Sequence, residues 1–539
     1  MSSTFGSFGV ARLGIYAAQK GLDVTGNNIT NINTPGYTRQ RLDQVSLISS
    51  VSDKYFNQNM TRVGQGVLTT GVSQLRDPGL DLIYREAQAD LGASGGKLEG
   101  LNSLASILDE VGKGDGEQDD GVILSQLNDL RDLISKAVTN GIQGYDSLIR
   151  ESASALCTYL NSTAKKLENL QGTYETYLDQ DIQKVNDILK NIQDLNTSIR
   201  DADIRGDDAL ELRDSRNMLL DELSQYIDID VKYTMEDLGA GFMVEKLTVT
   251  MGTGHQHTLV DGEYAVQIGR DPNDPNYNIQ LGALMDTDGQ KKNETDPDTV
   301  ILVDNDLYGS LQSRREILTE SGEYTTKDTV DKVDKNAAVK RGIPYYRHAL
   351  DSLARELAKE MNALNNVNDV DIPGKGNLFS AGSDTNDTTD ANGQGITAAN
   401  ISVSKGWREG SISMIPSRDP GASSGDTSNL AAFLSLFEKT VKFDPKTLVG
   451  DAVGAPYEGT FEDMLLHIQS TLAEDQMSTS SVYNNYAITA NEIYTDRDSL
   501  SGVDLNDEAT NLMVYQKAYT AACRLMTTLD EALDSLLAM

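Results

Sequence analysis

The stretch FGVARLGIYAAQKGLDVTGNNITNI, residues 8 to 32, predicts the element on which the rest of the fold depends. Large and small apolar residues alternate along it at heptad spacing, which is typical of a helix that packs closely along another helix. The asparagines near its end fall off this repeat, and we expect them on the outside of the helix, in reach of adjacent subunits. With Phe8 as position a, the predicted seam is Phe8, Ala11, Ile15, Ala18, Leu22, Thr25, Ile29 and Ile32.

The residues that follow predict where this helix ends. Pro35 disfavours helical backbone at Thr34, and Gly36 accepts the positive φ that the third residue of a type II turn requires. The segment 37–41 is then predicted to bridge from the helix to the rest of the chain.

A second heptad pattern occupies the other end of the chain, over residues 505–537. Glu508 interrupts it, and we interpret that acid as a first-turn residue that favours the helix dipole. Each seam needs a partner. The pattern predicts that the two terminal helices pair, and it leaves open whether they also pack on neighbouring subunits. The second seam is Leu505, Leu512, Tyr515, Tyr519, Ala522, Met526, Leu529, Leu533 and Leu536.

Between the terminal helices, helical periodicity alternates with β-type composition. The predicted fold is mainly α with β-rich insertions, elongated, with paired terminal heptad helices and a domain of long helices. The helical segments are 80–112, 121–139, 145–204, 208–226, 344–366 and about 460–498, and LAAFLSLF (430–437) is predicted to be a buried helix.

Four domains are predicted from these shifts in composition. They are a terminal helical arm with a bridging segment (1–75 and 499–539), a helical rod domain (76–227, 343–370 and 455–498), a β-rich insertion (228–342), and a loop-rich insertion with short strands, one of them around Ile401 to Trp407 (371–454).

Composition restricts the function classes. The net charge of −36 argues against nucleic-acid binding, because no excess of Lys and Arg is available to displace counterions. Residues 1–70 differ from the rest, with six basic and three acidic side chains. No run approaches the roughly 20 apolar residues of a membrane helix, and no secretory leader is recognisable. We expect a cytosolic protein, or one exported without a cleavable leader.

Candidate catalytic and metal-binding patterns are weak. Two Gly-x-Ser-x-Gly matches, at Ser94 and Ser423, lie outside the strand-to-helix context of a nucleophile elbow. His255 and His257 are spaced to share a strand face but lack a third ligand. The acidic stretches 286–289 and 383–393 fail the ordered calcium-loop template. We expect no catalytic residue, no cofactor and no metal site. Cys157 and Cys523 are expected to lie on helix faces as small apolar residues.

Both ends of the chain resemble one family. GNNITNINTPGYTRQR (26–41) resembles the N-terminal signature of the rod, hook and hook-associated proteins of the bacterial flagellum, and SGVDLNDEATNLMVYQKAYTAACRLMTTLDEALDSLL (501–537) resembles their C-terminal signature. Among the members, the Thr-Pro-Gly-Tyr-Thr-Arg-Gln form most resembles those at the junction between hook and filament. The signature residues are Asn27, Asn28, Asn31, Thr34, Pro35, Gly36 and Tyr37.

The resemblance implies a structural, non-enzymatic protein that joins the hook to the filament and assembles through its terminal helices. The implied partners are the hook protein, a second hook–filament junction protein and copies of the chain itself in the assembled ring. It also implies export through the flagellar type III apparatus after a transient cytoplasmic stage, with a cytoplasmic export chaperone on the C-terminal helix. No nucleic acid and no membrane insertion are expected, and the terminal helices are expected to be mobile in the free monomer.

Three alternatives remain open at this point. A hook or distal rod protein shares both signatures, although the long central helices favour the junction member. A secreted hydrolase with coiled-coil termini would need a catalytic cluster that the sequence does not show. A surface adhesin that displays the β-rich insertions is compatible with a structural function.

Overall fold

The computed structural model describes residues 4–47, 64, 66–108, 121–239, 243–252, 254, 256–302, 307–326, 340–366, 372–388, 395–423 and 425–538. The helices are α1 (Thr4–Thr30), α2 (Pro78–Leu108), α3 (Val122–Asn140), α4 (Tyr145–Arg205), α5 (Leu210–Tyr226), α6 (Ser310–Thr319), α7 (Ile343–Asn365), α8 (Lys405–Glu409), α9 (Ser428–Leu436), α10 (Phe461–Ser501) and α11 (Leu505–Leu537).

The strands form small antiparallel sheets. Their order is β1-β2, β3-β4-β5-β6, β7-β8-β9, β10-β11 and β12-β13. Their bounds are β1 (Gln40–Ser46), β2 (Val67–Gln74), β3 (Ile229–Asp237), β4 (Met243–Met251), β5 (His257–Asp261), β6 (Tyr264–Ala265), β7 (Ile268–Arg270), β8 (Ile279–Gly282), β9 (Thr299–Ile301), β10 (Phe379–Ala381), β11 (Ile401–Val403), β12 (Val441–Phe443) and β13 (Tyr457–Gly459). The fold is therefore mainly α with β-rich insertions, as the sequence predicts.

Helix α4 is the longest element and organises the helical body. Its 61 residues span about 90 Å at the helical rise of 1.5 Å per residue. It packs against α3, α5, α6, α7 and strand β4. Buried side chains such as Leu160, Leu167 and Leu178 recur at helical spacing along the face that makes these contacts. The helix ends at Gly206, whose left-handed backbone lets its N–H bond to carbonyls of the last turn.

A ridge of glycines on α2 lets neighbouring elements approach its backbone. A Cβ at Gly92 would stand 2.1 Å from the Gln225 carbonyl oxygen. A Cβ at Gly96 would stand 2.2 Å from Ser313 Oγ, and one at Gly100 would stand 2.4 Å from Ile317 Cδ1. The three glycines follow at intervals of four residues, so they share one face of the helix. The first Gly-x-Ser-x-Gly match, around Ser94, is thus part of a helix-packing surface.

Three elements differ from the sequence-based expectation. The bridging segment contains a hairpin, because β1 and β2 pair antiparallel. Helix α6 lies inside the stretch predicted to be β-rich, and it packs on the glycine ridge of α2. Trp407 lies in helix α8 rather than in a strand, because Ser404 caps that helix by accepting a bond from the Trp407 N–H.

The main hydrophobic core lies between the two terminal helices in sequence. Among the described residues, the buried side chains of this cluster come from positions 101 to 472. Helices α1 and α11 therefore lie outside this core. They pack on each other, and α1 also contacts strands β1 and β2.

Candidate functional site

The terminal helices α1 and α11 pack against each other in an antiparallel pair. A Cβ at Gly14 would lie 3.6 Å from Ala522 Cβ, and a Cβ at Gly21 would lie 2.5 Å from the Tyr515 ring. The contact moves seven residues forward on α1 while it moves seven residues back on α11, which is one heptad. The predicted pairing of the two termini is confirmed.

The α1 residues nearest to α11 are smaller than the predicted seam. Ala11, Ala18 and Thr25 are buried as predicted, but α11 side chains lie directly against Gly14 and Gly21, whereas the larger a-position residues lie half-buried at the flank. Small side chains allow the backbones to approach closely, which explains this shift of register. The half-buried flanking residues are Phe8, Ile15, Leu22 and Ile29.

Ile32 lies beyond the end of α1 and is 38% exposed. On α11 the seam residues divide into half-buried and exposed side chains. Their part in assembly stays a prediction. Tyr515, Ala522, Met526, Leu529 and Leu533 are half-buried, and Leu505, Leu512, Tyr519 and Leu536 are exposed.

The asparagines of the signature bind within their own chain. Asn28 is only 1% exposed, and its amide pairs with the backbone of Gln40, donating to the carbonyl at 2.9 Å and accepting from the N–H at 3.0 Å. Its Oδ1 also accepts from the Tyr37 hydroxyl at 2.8 Å. Asn31 donates to Asn27 Oδ1 at 2.9 Å. The expectation that these side chains face adjacent subunits is therefore wrong for Asn28, because the segment after the turn folds back over it.

The turn itself is as predicted. The Tyr37 N–H donates to the Thr34 carbonyl at 3.2 Å, and Gly36 has a φ of 74°. A Cβ at Gly36 would also collide with Met218 of α5, 2.2 Å from its sulfur. Gly36 thus satisfies two requirements, a left-handed backbone and a close approach of the turn to the helical body.

Three consecutive residues after the turn bond to four helices. Thr38 binds α5, because its N–H and its hydroxyl donate to the Asp214 carboxylate at 3.0 and 2.6 Å. The Arg39 N–H donates to the Ser501 carbonyl at the end of α10, and its Nε donates to Glu508 of α11, both at 2.8 Å. Gln40 pairs with Asn28 of α1. These residues form a joint at which α1, α10, α11 and α5 meet.

Burial raises the pKa of two side chains at the joint, Tyr37 and Asp214. The pKa of the Tyr37 hydroxyl is raised by burial and then by the nearby carboxylates Glu211, Asp214 and Glu508, so it remains a hydrogen-bond donor. The pKa of Asp214 is also raised, because burial outweighs the hydrogen bonds from Thr38.

A network of ion pairs connects the helices next to the joint. Arg497 of α10 reaches Asp221 of α5 at 2.7 Å and Asp81 of α2 at 3.5 Å, and it lies over the Tyr84 ring at 4.0 Å. Arg85 of α2 binds Asp221 at 2.9 Å. The largely buried charges are paired across helices, so these contacts hold α2, α5 and α10 in one arrangement beneath the arm.

Glu508 has a different environment from the one that the heptad suggested. It is 2% exposed and forms the ion pair with Arg39. Its place on the heptad repeat was the available signal, because a charged residue on an apolar repeat is usually buried only with a partner.

The weak catalytic and metal patterns find no site in the described part of the chain. Ser94 Oγ donates to the Asp90 carbonyl within α2. His255 lies outside the described residues, as does part of the 383–393 stretch, and Asp286 accepts hydrogen bonds from its own turn. Among the described residues, no group of three or more His, Cys, Asp or Glu could hold a metal ion. None of the described helices has the length and apolarity to cross a membrane.

Comparisons with known proteins agree with this arrangement. Residues 118–379 match the description "Flagellar hook-associated protein FlgK helical domain". Residues 10–38 match "Flagella basal body rod protein", and residues 498–539 match "Flagellar basal body rod FlgEFG protein C-terminal". The two rod-protein matches cover most of α1, the turn up to Thr38, and the whole of α11.

Full-length relatives decide the assignment. The chain is 27% identical to flagellar hook-associated protein 1 of Bacillus subtilis (strain 168), over 100% of this chain and 98% of that protein. It is 22% identical to the protein of the same name from Salmonella typhimurium (strain LT2), over 98% of both chains. The chain is similar to flagellar hook-associated protein 1 over its whole length. It is a structural axial component of the bacterial flagellum at the hook–filament junction.

A solved structure of the flagellar hook junction protein FlgK from Burkholderia pseudomallei is also similar. The identity is 17% and the TM-score 0.39, over 56% of this chain and 47% of that one.

Proposed function

We propose that the α1–α11 pair and the joint are the surfaces through which this chain assembles. In the assembled ring, the terminal helices pack against copies of the same chain, against the hook protein on one side and against the second junction protein on the other. The residues proposed for this packing are the two heptad seams and the signature residues named above. In the assembled ring, residues 1–75 and 499–539 would form the inner arm domain, and the rod domain and the two insertions would surround it.

The observation that carries this proposal is the exposed apolar surface of the terminal pair. A helix of a soluble monomer usually buries its apolar residues, and a large exposed patch marks an interaction site. Among the described side chains, the large exposed apolar residue of α1 is Tyr16, and those of α11 are Leu505, Leu512, Met513, Val514, Tyr519, Leu525, Leu536 and Leu537.

The same exposed apolar surface suggests that the chain needs a protein partner before export. A helix with this much exposed apolar area would aggregate at high monomer concentration unless a partner covers it. We therefore propose that a cytoplasmic export chaperone binds α11 before export, and that the flagellar type III apparatus exports the chain. The similarity to structural flagellar proteins supports a chain that acts by packing and without catalysis, and its acidic composition argues against nucleic acid as a partner.

The test is complementation of a strain that lacks this gene. A chain without residues 505–539 is expected to leave the filament subunit unassembled in the medium, whereas the full chain restores filaments. The truncated protein should still fold, because the core lies at positions 101 to 472, and fluorescence of the buried Trp407 reports this.

A matched pair of point variants separates assembly from folding. Leu512→Asp places a charge on the exposed apolar stripe of α11, and Thr520→Asp places the same charge on an exposed polar position of that helix. Both proteins are measured in the medium to verify export. Loss of filaments with Leu512→Asp alone supports the proposal, whereas normal filaments with the truncated chain would refute it.

A further inference from the structure

The outer face of α1 carries a basic stripe, made of Arg12, Tyr16 and Lys20. These residues follow one another at intervals of four, so they run along one side of the helix, and all three are exposed. The α1 positions in contact with α11 are Gly14 and Gly21. At about 100° per residue, the basic stripe lies on the opposite side of α1 from these two glycines. It therefore presents two cations and an aromatic ring to whatever lies beside α1 in an assembly.

The last turns of α11 carry the opposite charge. Asp530, Glu531 and Asp534 are exposed there, and we call these three carboxylates the acidic tip. The chain has no Lys or Arg over residues 525–539. Leu536 beside the acidic tip is 67% exposed. The end of α11 thus combines negative charge with exposed apolar surface.

Neither set of charges has a strong partner within its own chain. Among the described residues, no ion pair includes Arg12 or a carboxylate of the acidic tip, and Lys20 pairs only with Asp23. That pair is exposed and its atoms are 3.5 Å apart, so it contributes little. Both sets are therefore available to a neighbour.

The geometry of the terminal pair keeps the two sets apart in one copy. Gly14 contacts Ala522 and the two helices run antiparallel, so Tyr16 lies at the level of Thr520. Glu531 is about 11 residues further along α11, which is about 17 Å at the helical rise. The acidic tip of a copy consequently cannot reach the basic stripe of the same copy.

A second copy of the chain has the complementary surface. Complementary charges on two surfaces attract each other and fix the register in which the surfaces meet. The contact joins different patches of the two copies, and such head-to-tail contacts form rings when the rotation closes. Because the whole chain has a net charge of −36, closely packed copies repel one another unless basic groups meet acidic ones.

We propose that, in the assembled ring, the acidic tip of one copy docks on the basic stripe of its neighbour. The neighbour is then displaced by about 17 Å along the axis of the terminal pair, and Tyr16 packs against the apolar end of the neighbour's α11. This inference rests on the proposed function, since it needs the terminal pair to be the assembly surface. It adds the charge register and the axial offset of adjacent copies.

Charge reversal tests the contact in a strain that lacks this gene. Arg12→Glu with Lys20→Glu, and separately Asp530→Lys with Asp534→Lys, should each raise the filament subunit in the medium at least tenfold, because like charges then meet. The four substitutions together restore opposite charges and should return the subunit to filaments. Each variant chain is itself measured outside the cell, which separates a defect of export from a defect of assembly.

Lys517→Glu with Arg524→Glu is the matched control. These two cations are also exposed and lie close to the levels of Lys20 and Arg12. Each follows a residue of the α1 contact by two positions, which turns it about 200° away from α1, onto the outer face of α11. Filaments should remain normal in this control. A loss as large as that of Arg12→Glu with Lys20→Glu would show a general sensitivity to charge and would contradict the proposed contact.

Cysteine cross-linking identifies the neighbour directly. In a Cys523→Ser background, Tyr16→Cys with Glu531→Cys should give a ladder of dimers and larger oligomers of this chain when assembled flagella are oxidised. The same two positions in one copy are about 17 Å apart along the axis, too far for an internal disulfide. Tyr16→Cys with Thr520→Cys tests the offset, because Thr520 lies on the same side of α11 three turns earlier, and it should give no ladder.

Three results would overturn the proposal. They are a combined charge variant as defective as its parents, no ladder from the first cysteine pair, and cross-links to the hook protein or the second junction protein in place of this chain. The proposed function survives these results if the chain without residues 505–539 still fails to assemble. Normal filaments with that truncated chain would refute both.

Discussion

The Tyr515 ring lies in the space that a side chain at Gly21 would need. Its Cδ1 and Cε1 atoms are 2.5 Å from the position of a Cβ on that glycine. The largest side chain at the centre of the terminal pair is thus accommodated because the facing residue has none.

Gly21→Ala is therefore expected to push α1 and α11 apart. The overpacking should cost about 1–3 kcal/mol, more than the roughly 1 kcal/mol that alanine adds to helix propensity. Hydrogen exchange of α11 amides in the free chain measures this as faster opening. Gly26→Ala is the control, because a Cβ there has open space within 4 Å. It should stabilise α1 by about 0.5–1 kcal/mol, and equal effects of the two variants would contradict the packing shown by the structure.

Gly92→Ala tests the ridge on α2. The new Cβ would meet the Gln225 carbonyl oxygen at 2.1 Å, and a backbone atom cannot rotate away as a flexible side chain can. We expect a loss of about 1–3 kcal/mol in the free energy of unfolding of the helical body, measured by urea denaturation. Gly172→Ala on α4 faces open space and should instead raise stability by about 1 kcal/mol. A stabilising Gly92→Ala would show that α5 does not pack this closely.

Thr38→Val tests the link between the joint and α5. It removes the hydroxyl that donates to Asp214 at 2.6 Å and leaves a buried carboxylate with one bond fewer, at a cost of about 1–3 kcal/mol. Thr38→Ser keeps the hydroxyl and should lose much less. Unfolding of both variants by urea at pH 7 provides the comparison.

The same variant makes a prediction about pH. Loss of the hydroxyl should raise the pKa of Asp214 further, which an NMR titration detects. A carboxyl whose pKa is raised in the folded state contributes stability that is lost as the pH rises through that pKa. The free energy of unfolding lost in Thr38→Val should therefore be largest above the pKa of Asp214 and should shrink below it. The same deficit in the Val and Ser variants would count against the hydrogen bond.

His348 should make the helical body sensitive to acid. Burial, with a smaller effect of Arg347, lowers its pKa to about 4 from 6.5, and its ring lies 5.3 Å from that of Tyr324. As pH falls from 6.5 towards 4, the unfolded chain binds a proton that the folded chain does not, so stability is lost. At pH 5 this loss is about 2 kcal/mol.

The measurement is the urea midpoint at pH 7.5 and pH 5. His348→Gln cannot titrate, so its midpoint should fall less than that of the wild type between these two values. Burial also lowers the pKa of His467, so replacing His467 by a residue that does not titrate should reduce the acid shift in the same direction. An identical acid shift in the wild type and His348→Gln would exclude the proposed cause.

The sequence was informative wherever a local rule decides the structure. Pro35 and Gly36 predict the turn because backbone sterics depend on the residue itself. The long periodic run that became α4 was recognisable because every turn repeats the same apolar face. The pairing of the terminal helices followed from two heptad seams that each needed a partner.

The same rules were insufficient wherever a third element takes part. Asn28 lies on α1, and it is buried where Gln40 returns over it as an extended segment. Helix α6 was concealed because its short sequence lies inside a β-rich stretch and its packing surface is the glycine ridge of α2.

By itself, the sequence determined the terminal helices, their heptads, the turn between α1 and β1, and the helical body. These features follow from backbone sterics and apolar periodicity, which act over a few residues. Only the tertiary structure decided that small residues rather than large ones form the closest contact of the terminal pair. It also decided that Arg39 meets Glu508, because these two residues are brought together only when the chain returns to its beginning. The cost of burying a charge then makes each of them depend on the other.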